Sequence, residues 1–363
     1  MTDGSLRFGI VGCGSIGPTH AGAIKQLAGM QIVACADPVA DRARALADKF
    51  GIPKVYASDA ELLADADVDV VCLCTPSGMH ADGAVAALRA GKHVIVEKPM
   101  EVSLAACDRM IAAVDETGKK LTVISQHRFD AASQLAKKKL ADGELGKVIL
   151  ATADVKWWRT QAYYDSGDWR GTWAMDGGGA LMNQGVHTVD LLQWLAGDVR
   201  SVNAQIRTSA HERIEVEDIA VATLAFANGA VGTFVASTAA YPALPVKVDI
   251  FGTNGGMSIE GDVLQLLAIK GQETLRGTGA SAHALAVAGG GTASVKDEAA
   301  TRSAAADPGA VWGDAHREQI RDFITAIRED RQPLIDARAA RKPVEIILAI
   351  YESARTGKTV QLG

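Results

Sequence analysis

The chain has 363 residues, room for about two domains of ordinary size. Hydrophobic residues make up 48% and charged residues 22%, a balance that excludes a disordered or collagen-like chain. Acidic residues outnumber basic ones, 43 to 37, for a formal net charge of −6. No global attraction to nucleic acid or to an anionic membrane follows from that sign.

Leu6–Val11 reads as a short buried strand, followed by Gly12-Cys13-Gly14-Ser15-Ile16-Gly17 and a helical pattern over Thr19–Ala28. Strand Ile32–Ala36, helix Asp41–Phe50, strand Val68–Thr75 and helix Ala81–Ala90 come next. Strand His93–Glu97, helix Ala105–Thr117 and strand Leu121–Ser125 complete the series. Strands that alternate with helices build a doubly wound parallel sheet with right-handed crossovers. In that setting the glycine pattern has a ligand. Gly12 permits a tight turn, Gly14 lets a pyrophosphate approach the backbone, and Gly17 lets helix and strand pack closely. Asp37, 20 residues after Gly17, is placed to bind the adenosine ribose hydroxyls and repel a 2′-phosphate, so NAD is expected and NADP is the lesser choice.

Ligands of such sheets bind beyond the carboxyl ends of the strands. Thr75-Pro76-Ser77-Gly78-Met79-His80 and Glu97-Lys98-Pro99 lie at that edge. A lysine at a strand end before proline serves packing poorly. Lys98 is read as a positioned ammonium, which a cis Lys98–Pro99 bond could aim.

After Ser125 the alternation stops. Gln126-His127-Arg128-Phe129 leads into a helix over Ala132–Ala141. Strands follow at Val148–Lys156, Val202–Ser209, Ile219–Phe226, Val231–Ser237 and Val246–Phe251, with shorter ones at Met257–Glu260 and Val263–Ala268. Helices Asp314–Glu329 and Pro343–Ala354 close the chain. This is the pattern of an α+β domain with an open, mainly antiparallel sheet. Ile219–Val246 carries no formal charge over 28 residues, yet Asn228-Gly229 at its middle marks a hairpin, not a membrane span. Residues 277–311 are rich in Gly, Ala and Ser and read as a loop or a helix-bearing insertion. Five cysteines without a C-x-x-C pair read as free thiols in a reducing compartment, and no leader pattern opens the chain, so a cytoplasmic location is expected.

Six of the 18 aromatic residues fall between Trp157 and Trp173, with Arg159, Gln161 and Arg170 among them. Flat rings cover the C–H faces of a sugar while guanidinium groups supply oriented donors, so a sugar wall is one reading and a packed sheet edge the other. Asp176-Gly177-Gly178-Gly179 then opens a helix over Ala180–Leu195 that carries Asn183, His187 and Asp190 on one face. His187 and Asp190 lack an evident third ligand, so no metal is expected.

The combination of Gly12-x-Gly14-x-x-Gly17, Glu97-Lys98-Pro99, Gly177-Gly178-Gly179 and His187-x-x-Asp190 resembles the Gfo/Idh/MocA family of NAD(P)-dependent oxidoreductases over essentially the whole chain, to the closing pattern from His316 through Ala354. The resemblance implies a Rossmann domain over 1–125 and a substrate-binding and oligomerising domain over 126–363, assembled as a homodimer or homotetramer. It implies catalytic roles for Lys98 and His187, with Asn183 where most members carry aspartate. Cofactor contacts are implied for Gly12, Gly14, Ser15, Ile16, Gly17, Asp37, Thr75, Pro76, His80, Glu97, Lys98, Gln126, Trp169 and Arg170. Substrate contacts are implied for Lys98, Arg128, Arg159, Tyr163, Tyr164, Asn183 and His187. The stretch from Arg159 to Trp173 with Met182-Asn183-Gln184 is similar to UDP-N-acetylglucosaminuronic acid 3-dehydrogenases. Free sugars, glycosides, anhydrosugars and inositols are the alternative substrates, and a non-catalytic dinucleotide sensor is the alternative class.

Overall fold

The computed structural model describes residues 5–276 and 313–363. The segment expected to be a loop or insertion at 277–311 lies outside the described residues. The chain divides into two compact units.

The first unit is built on a six-stranded sheet, ordered β3-β2-β1-β4-β5-β6. Its strands are β1 (Leu6–Val11), β2 (Met30–Ala36), β3 (Lys54–Tyr56), β4 (Val70–Leu73), β5 (His93–Val96) and β6 (Leu121–Val123). All neighbours pair parallel. The helices between them are α1 (Gly17–Lys25), α2 (Ala40–Phe50), α3 (Asp59–Leu63), α4 (His80–Arg89) and α5 (Leu104–Thr117). Every residue of β4 is buried, as a strand covered on both faces requires. The strand order reverses between β1 and β4, the position where ligands of such sheets bind. Strand β3 and helix α3 are additions to the elements read from the sequence. They are short, and periodicity does not resolve them.

This unit reaches past the single cut near residue 125 that the sequence suggests. It also takes Ala174–Gly177 and the segment ending at Val344. The physical cause is the helix Gly313–Arg328, whose Ile320, Phe323 and Ile324 are buried in one core with Phe8, Ile10, Ile24 and Ile95. Their i, i+3, i+4 spacing gives the helix an apolar stripe to bury.

The second unit carries a nine-stranded sheet. Its strands are β7 (Val148–Lys156), β8 (Val199–Arg207), β9 (Ile219–Phe226), β10 (Val231–Ser237), β11 (Lys247–Gly252), β12 (Gly255–Glu260), β13 (Val263–Ile269), β14 (Leu275–Arg276) and β15 (Val360–Gln361). Strands β7 and β10 run parallel; the other neighbours are antiparallel. The turn between β9 and β10 is the Asn228-Gly229 hairpin, with Gly229 at φ 87° and Asn228 Oδ1 accepting the Ala230 N–H at 3.0 Å. Helices α6 (Ala131–Ala141), α7 (Gln161–Tyr164) and α8 (Val186–Ala196) belong to this unit. Leu191, Leu192 and Leu195 of α8 are buried. Leu150, Val221, Val231 and Phe251 stand exposed on the opposite sheet face.

One helix over Ala180–Leu195 is expected; instead a π-helical turn, Ala180–Gly185, precedes α8. The Gly179 carbonyl accepts from both the Asn183 and Gln184 N–H groups at 3.3 Å, which widens the turn by one residue.

Candidate active site

In the first unit, the backbone demands glycine where the pattern places it. Gly12 adopts φ 89°, and a Cβ there would lie 2.6 Å from the Cys74 carbonyl oxygen; at Gly17 it would lie 2.8 Å from the Gly12 oxygen. Around Gly14 there is open space. Asp37 is buried at the end of β2. Its two oxygens accept the Cys13 and Val39 N–H groups, each at 2.8 Å, which fixes the glycine-rich loop and leaves lone pairs for a ribose. Thr75 Oγ1 and Gln126 Oε1 are buried without a hydrogen-bond partner. A tight glycine cradle at the N-terminus of α1, an ordered acid and two orphaned polar atoms together fit a dinucleotide.

The Lys98–Pro99 peptide is cis. His80 is fully buried, with Nδ1 2.8 Å from the Pro99 oxygen and Nε2 3.0 Å from the Thr75 oxygen. His80 therefore ties two loops together, with both ring nitrogens engaged within the protein where a cofactor contact is expected. Glu97 is also turned inward. Oε1 lies 2.7 Å from His20 Nε2 and Oε2 accepts the Lys98 N–H at 3.1 Å.

In the second unit, the aromatic stretch forms a connected polar network. Arg159 Nη2 donates to Gln184 Oε1 at 2.9 Å. Gln184 Nε2 donates to Asn183 Oδ1 at 2.7 Å and to the Tyr163 hydroxyl at 2.9 Å. Arg170 Nη1 donates to the same hydroxyl at 2.8 Å, and its guanidinium lies 4.5 Å from the ring centres of Tyr163 and Trp169. Arg159 stacks over Trp157 at 4.8 Å. The residues of this aromatic stretch are thus held by one another, and Tyr163, Trp169 and Arg170 are half-buried.

Two expected substrate contacts are internal instead. Arg128 is buried and donates to both oxygens of Asp190 at 2.7 and 2.5 Å; a guanidinium fork matches a carboxylate at two points. That pairing also takes Asp190 away from any metal role beside His187. Tyr164 is buried, with its hydroxyl 2.8 Å from Thr238 Oγ1.

His187 lies in the first turn of α8, half-buried. The His127 ring packs edge-on against it, centroids 5.4 Å apart. His127 Nδ1 lies 2.8 Å from Asp130 and 3.0 Å from Asp262; these two carboxylates hold the imidazole pKa well above its usual value despite burial. The entry to the π-helical turn is fixed by Glu217, which sequence reasoning missed. This buried carboxylate accepts the Gly179 N–H at 3.1 Å, the Leu181 N–H at 2.7 Å and the Tyr351 O–H at 3.0 Å. Gly178 and Gly179 must be glycine because a Cβ would meet the Tyr351 hydroxyl or the Glu217 carbonyl. Its only local signal is a pair of acids, Glu217-Asp218, entering a strand.

Residues 6–125 match the profile of an oxidoreductase family with an NAD-binding Rossmann fold. Residues 133–258 match that of the GFO/IDH/MocA C-terminal domain. The WlbA dehydrogenase of Bordetella pertussis, solved with NADH and UDP-GlcNAcA, is 33% identical and superposes with a TM-score of 0.87 over 100% of this chain and 99% of its own. The WlbA dehydrogenase of Chromobacterium violaceum, with the same two ligands, gives 32%, 0.85, 100% and 97%. The scyllo-inositol 2-dehydrogenase (NAD(+)) of Bacillus subtilis is 26% identical over 98% of this chain and 96% of its own.

Proposed function

The chain belongs to the Gfo/Idh/MocA family of NAD-binding oxidoreductases, and from that premise we propose that it oxidises the C3 hydroxyl of a UDP-linked aminouronic sugar. The observation that carries this reading is the network of Arg159, Gln184, Asn183, Tyr163 and Arg170. Two guanidinium groups locked against aromatic faces suit the oxygens of a carboxylate or diphosphate, and the rings suit sugar C–H faces. The likeness to two dehydrogenases solved with UDP-GlcNAcA supports the same substrate class.

Gly12, Gly14, Ser15, Ile16 and Gly17 would hold the pyrophosphate, Asp37 the adenosine ribose, and Thr75, Pro76 and Gln126 the remainder. Asp37 selects NAD over NADP. When bound, NAD supplies the hydride acceptor. His187 removes the hydroxyl proton as general base. The Lys98 ammonium donates to that oxygen and stabilises the developing alkoxide. Asn183 contributes a hydrogen bond where a carboxylate would contribute charge.

Among the described residues no helix is long and apolar enough to cross a membrane. The five cysteines are free, four of them buried, which suits a reducing cytoplasm. The exposed apolar face with Leu150, Val221, Val231 and Phe251 supports a homo-oligomer.

A screen of NAD reduction across UDP-GlcNAcA, free hexoses, glycosides and inositols tests the proposal. UDP-GlcNAcA is expected to give the largest kcat/KM. Preference for an inositol, which the scyllo-inositol relative would favour, or for a free sugar overturns the substrate class.

A further inference from the structure

Glu97 is buried at the end of β5 between two imidazoles drawn from distant parts of the first unit. His20, on α1, lies 2.7 Å from Glu97 Oε1. His316, on the helix Gly313–Arg328, has Nε2 3.6 Å from the same oxygen. The two rings meet edge to face at 5.7 Å, and both histidines are almost wholly inaccessible. A carboxylate and two imidazoles in a core cost far more than apolar side chains of the same size unless they are paired. Burial opposes charge on both groups, yet the neighbouring Cys74 and Cys72 thiols and Glu97 raise the His20 pKa, while His20 and His316 lower that of Glu97. The three donor atoms lie within 4.8 Å of one another. The 2.7 Å separation of His20 and Glu97 is nonetheless that of a hydrogen bond, well below the roughly 3.3 Å between two ligands of a tetrahedral zinc ion.

The cluster has an output. The other Glu97 oxygen accepts the Lys98 N–H at 3.1 Å, and His80 lies 2.8 Å from the Pro99 carbonyl oxygen. The Lys98–Pro99 dipeptide is therefore held at its N–H by Glu97 and at its C=O by His80. We propose that His20 and His316 are positioning residues: His20 fixes the Glu97 carboxylate by its hydrogen bond, His316 backs the His20 ring edge-on, and through Glu97 they hold the backbone from which Lys98 reaches the reacting oxygen. The inference rests on the role of Lys98 given above. Misplacement by a fraction of an ångström in such a group is costly because the stabilisation is directional.

The test uses the full chain, UDP-GlcNAcA as substrate, and His316, the member farthest in sequence from the glycine-rich loop. His316→Ala is expected to lower kcat about tenfold while the Kd for NADH, read by fluorescence, changes less than twofold. His316→Gln guards against simple loss of folding and is expected to recover at least half of the lost kcat. In a Lys98→Ala background, His316→Ala is expected to cause no further loss, because both changes remove one function. Equal proportional losses in the two backgrounds, or wild-type kcat in His316→Ala, overturn the positioning role. Near-normal kcat in Lys98→Ala alone overturns the Lys98 reading itself, and this inference with it.

Discussion

Tyr351 donates its hydroxyl proton to the buried Glu217 carboxylate at 3.0 Å and accepts the Met182 N–H at 3.3 Å. Two residues 134 positions apart thus clamp the entrance of the segment that carries Asn183 and His187. Tyr351→Phe leaves Glu217 one donor short and, above pH 7 where that carboxyl is ionised, is expected to cost about 1.5–3 kcal/mol of stability, the range for a hydrogen bond to a charged group. Denaturant unfolding measures this; an unchanged midpoint and slope contradict the clamp.

Burial pushes the Glu217 carboxyl up to about 7 from an ordinary value of 4.5, against its three donors. Between those two values the folded protein keeps a proton that the unfolded chain has released. This group therefore stabilises the fold below pH 4.5 and loses that contribution as pH rises through 7. Glu217→Gln is expected to flatten the fall in Tm between pH 5 and pH 8 relative to wild type. Parallel curves would show that another group sets the slope.

Arg128 and Asp190 form a two-point ion pair in the interior of the second unit. Removal of one partner strands a buried charge, at a cost of about 3–5 kcal/mol. Asp190→Asn is expected to lower stability by an amount in that range, with thermal unfolding as the readout. A stable variant with a raised sugar KM would return Arg128 to the substrate.

The strand–helix alternation, the glycine cradle, the Asn228-Gly229 hairpin and the strand-end Lys98 were legible because each is written in neighbouring residues. The internal partners of Arg128, Tyr164 and His80 were not legible, for the opposite reason. Their partners Asp190, Thr238 and Pro99 lie 62, 74 and 19 positions away, and no local pattern says which polar group a fold will bury. The same holds for Glu217, and for the helix Gly313–Arg328, whose apolar stripe is plain in the sequence while its destination is not.

Asp37 binds the glycine-rich loop through Cys13 and α2 through Val39, with Arg44 of α2 exposed and paired to Asp41. NAD is expected to bind more tightly than NADP. Asp37→Ala should weaken NAD and narrow the difference, as measured by nucleotide titration. Preference of the wild-type protein for NADP contradicts the assignment.

The network on Arg159 and Tyr163 predicts a division between ligands. Arg159→Ala or Tyr163→Phe is expected to raise the sugar KM about tenfold and the NAD KM less than twofold. Tenfold corresponds to about 1.4 kcal/mol, the size of one charge-assisted hydrogen bond. Equal effects on both would assign these residues to folding.

The kcat/KM pH profile of wild type and His187→Ala tests the chemical core of the account most directly, because its acidic limb reports the base of the free enzyme. His187→Ala is expected to lose most activity, by about 10²–10⁴-fold, and the limb to disappear. Asn183→Asp is expected to move the limb to higher pH, since a carboxylate raises the imidazole pKa and the base must be neutral to accept a proton. A limb that survives unchanged in His187→Ala would rule out His187 as the base and transfer that role to another group, with Lys98 the first to test.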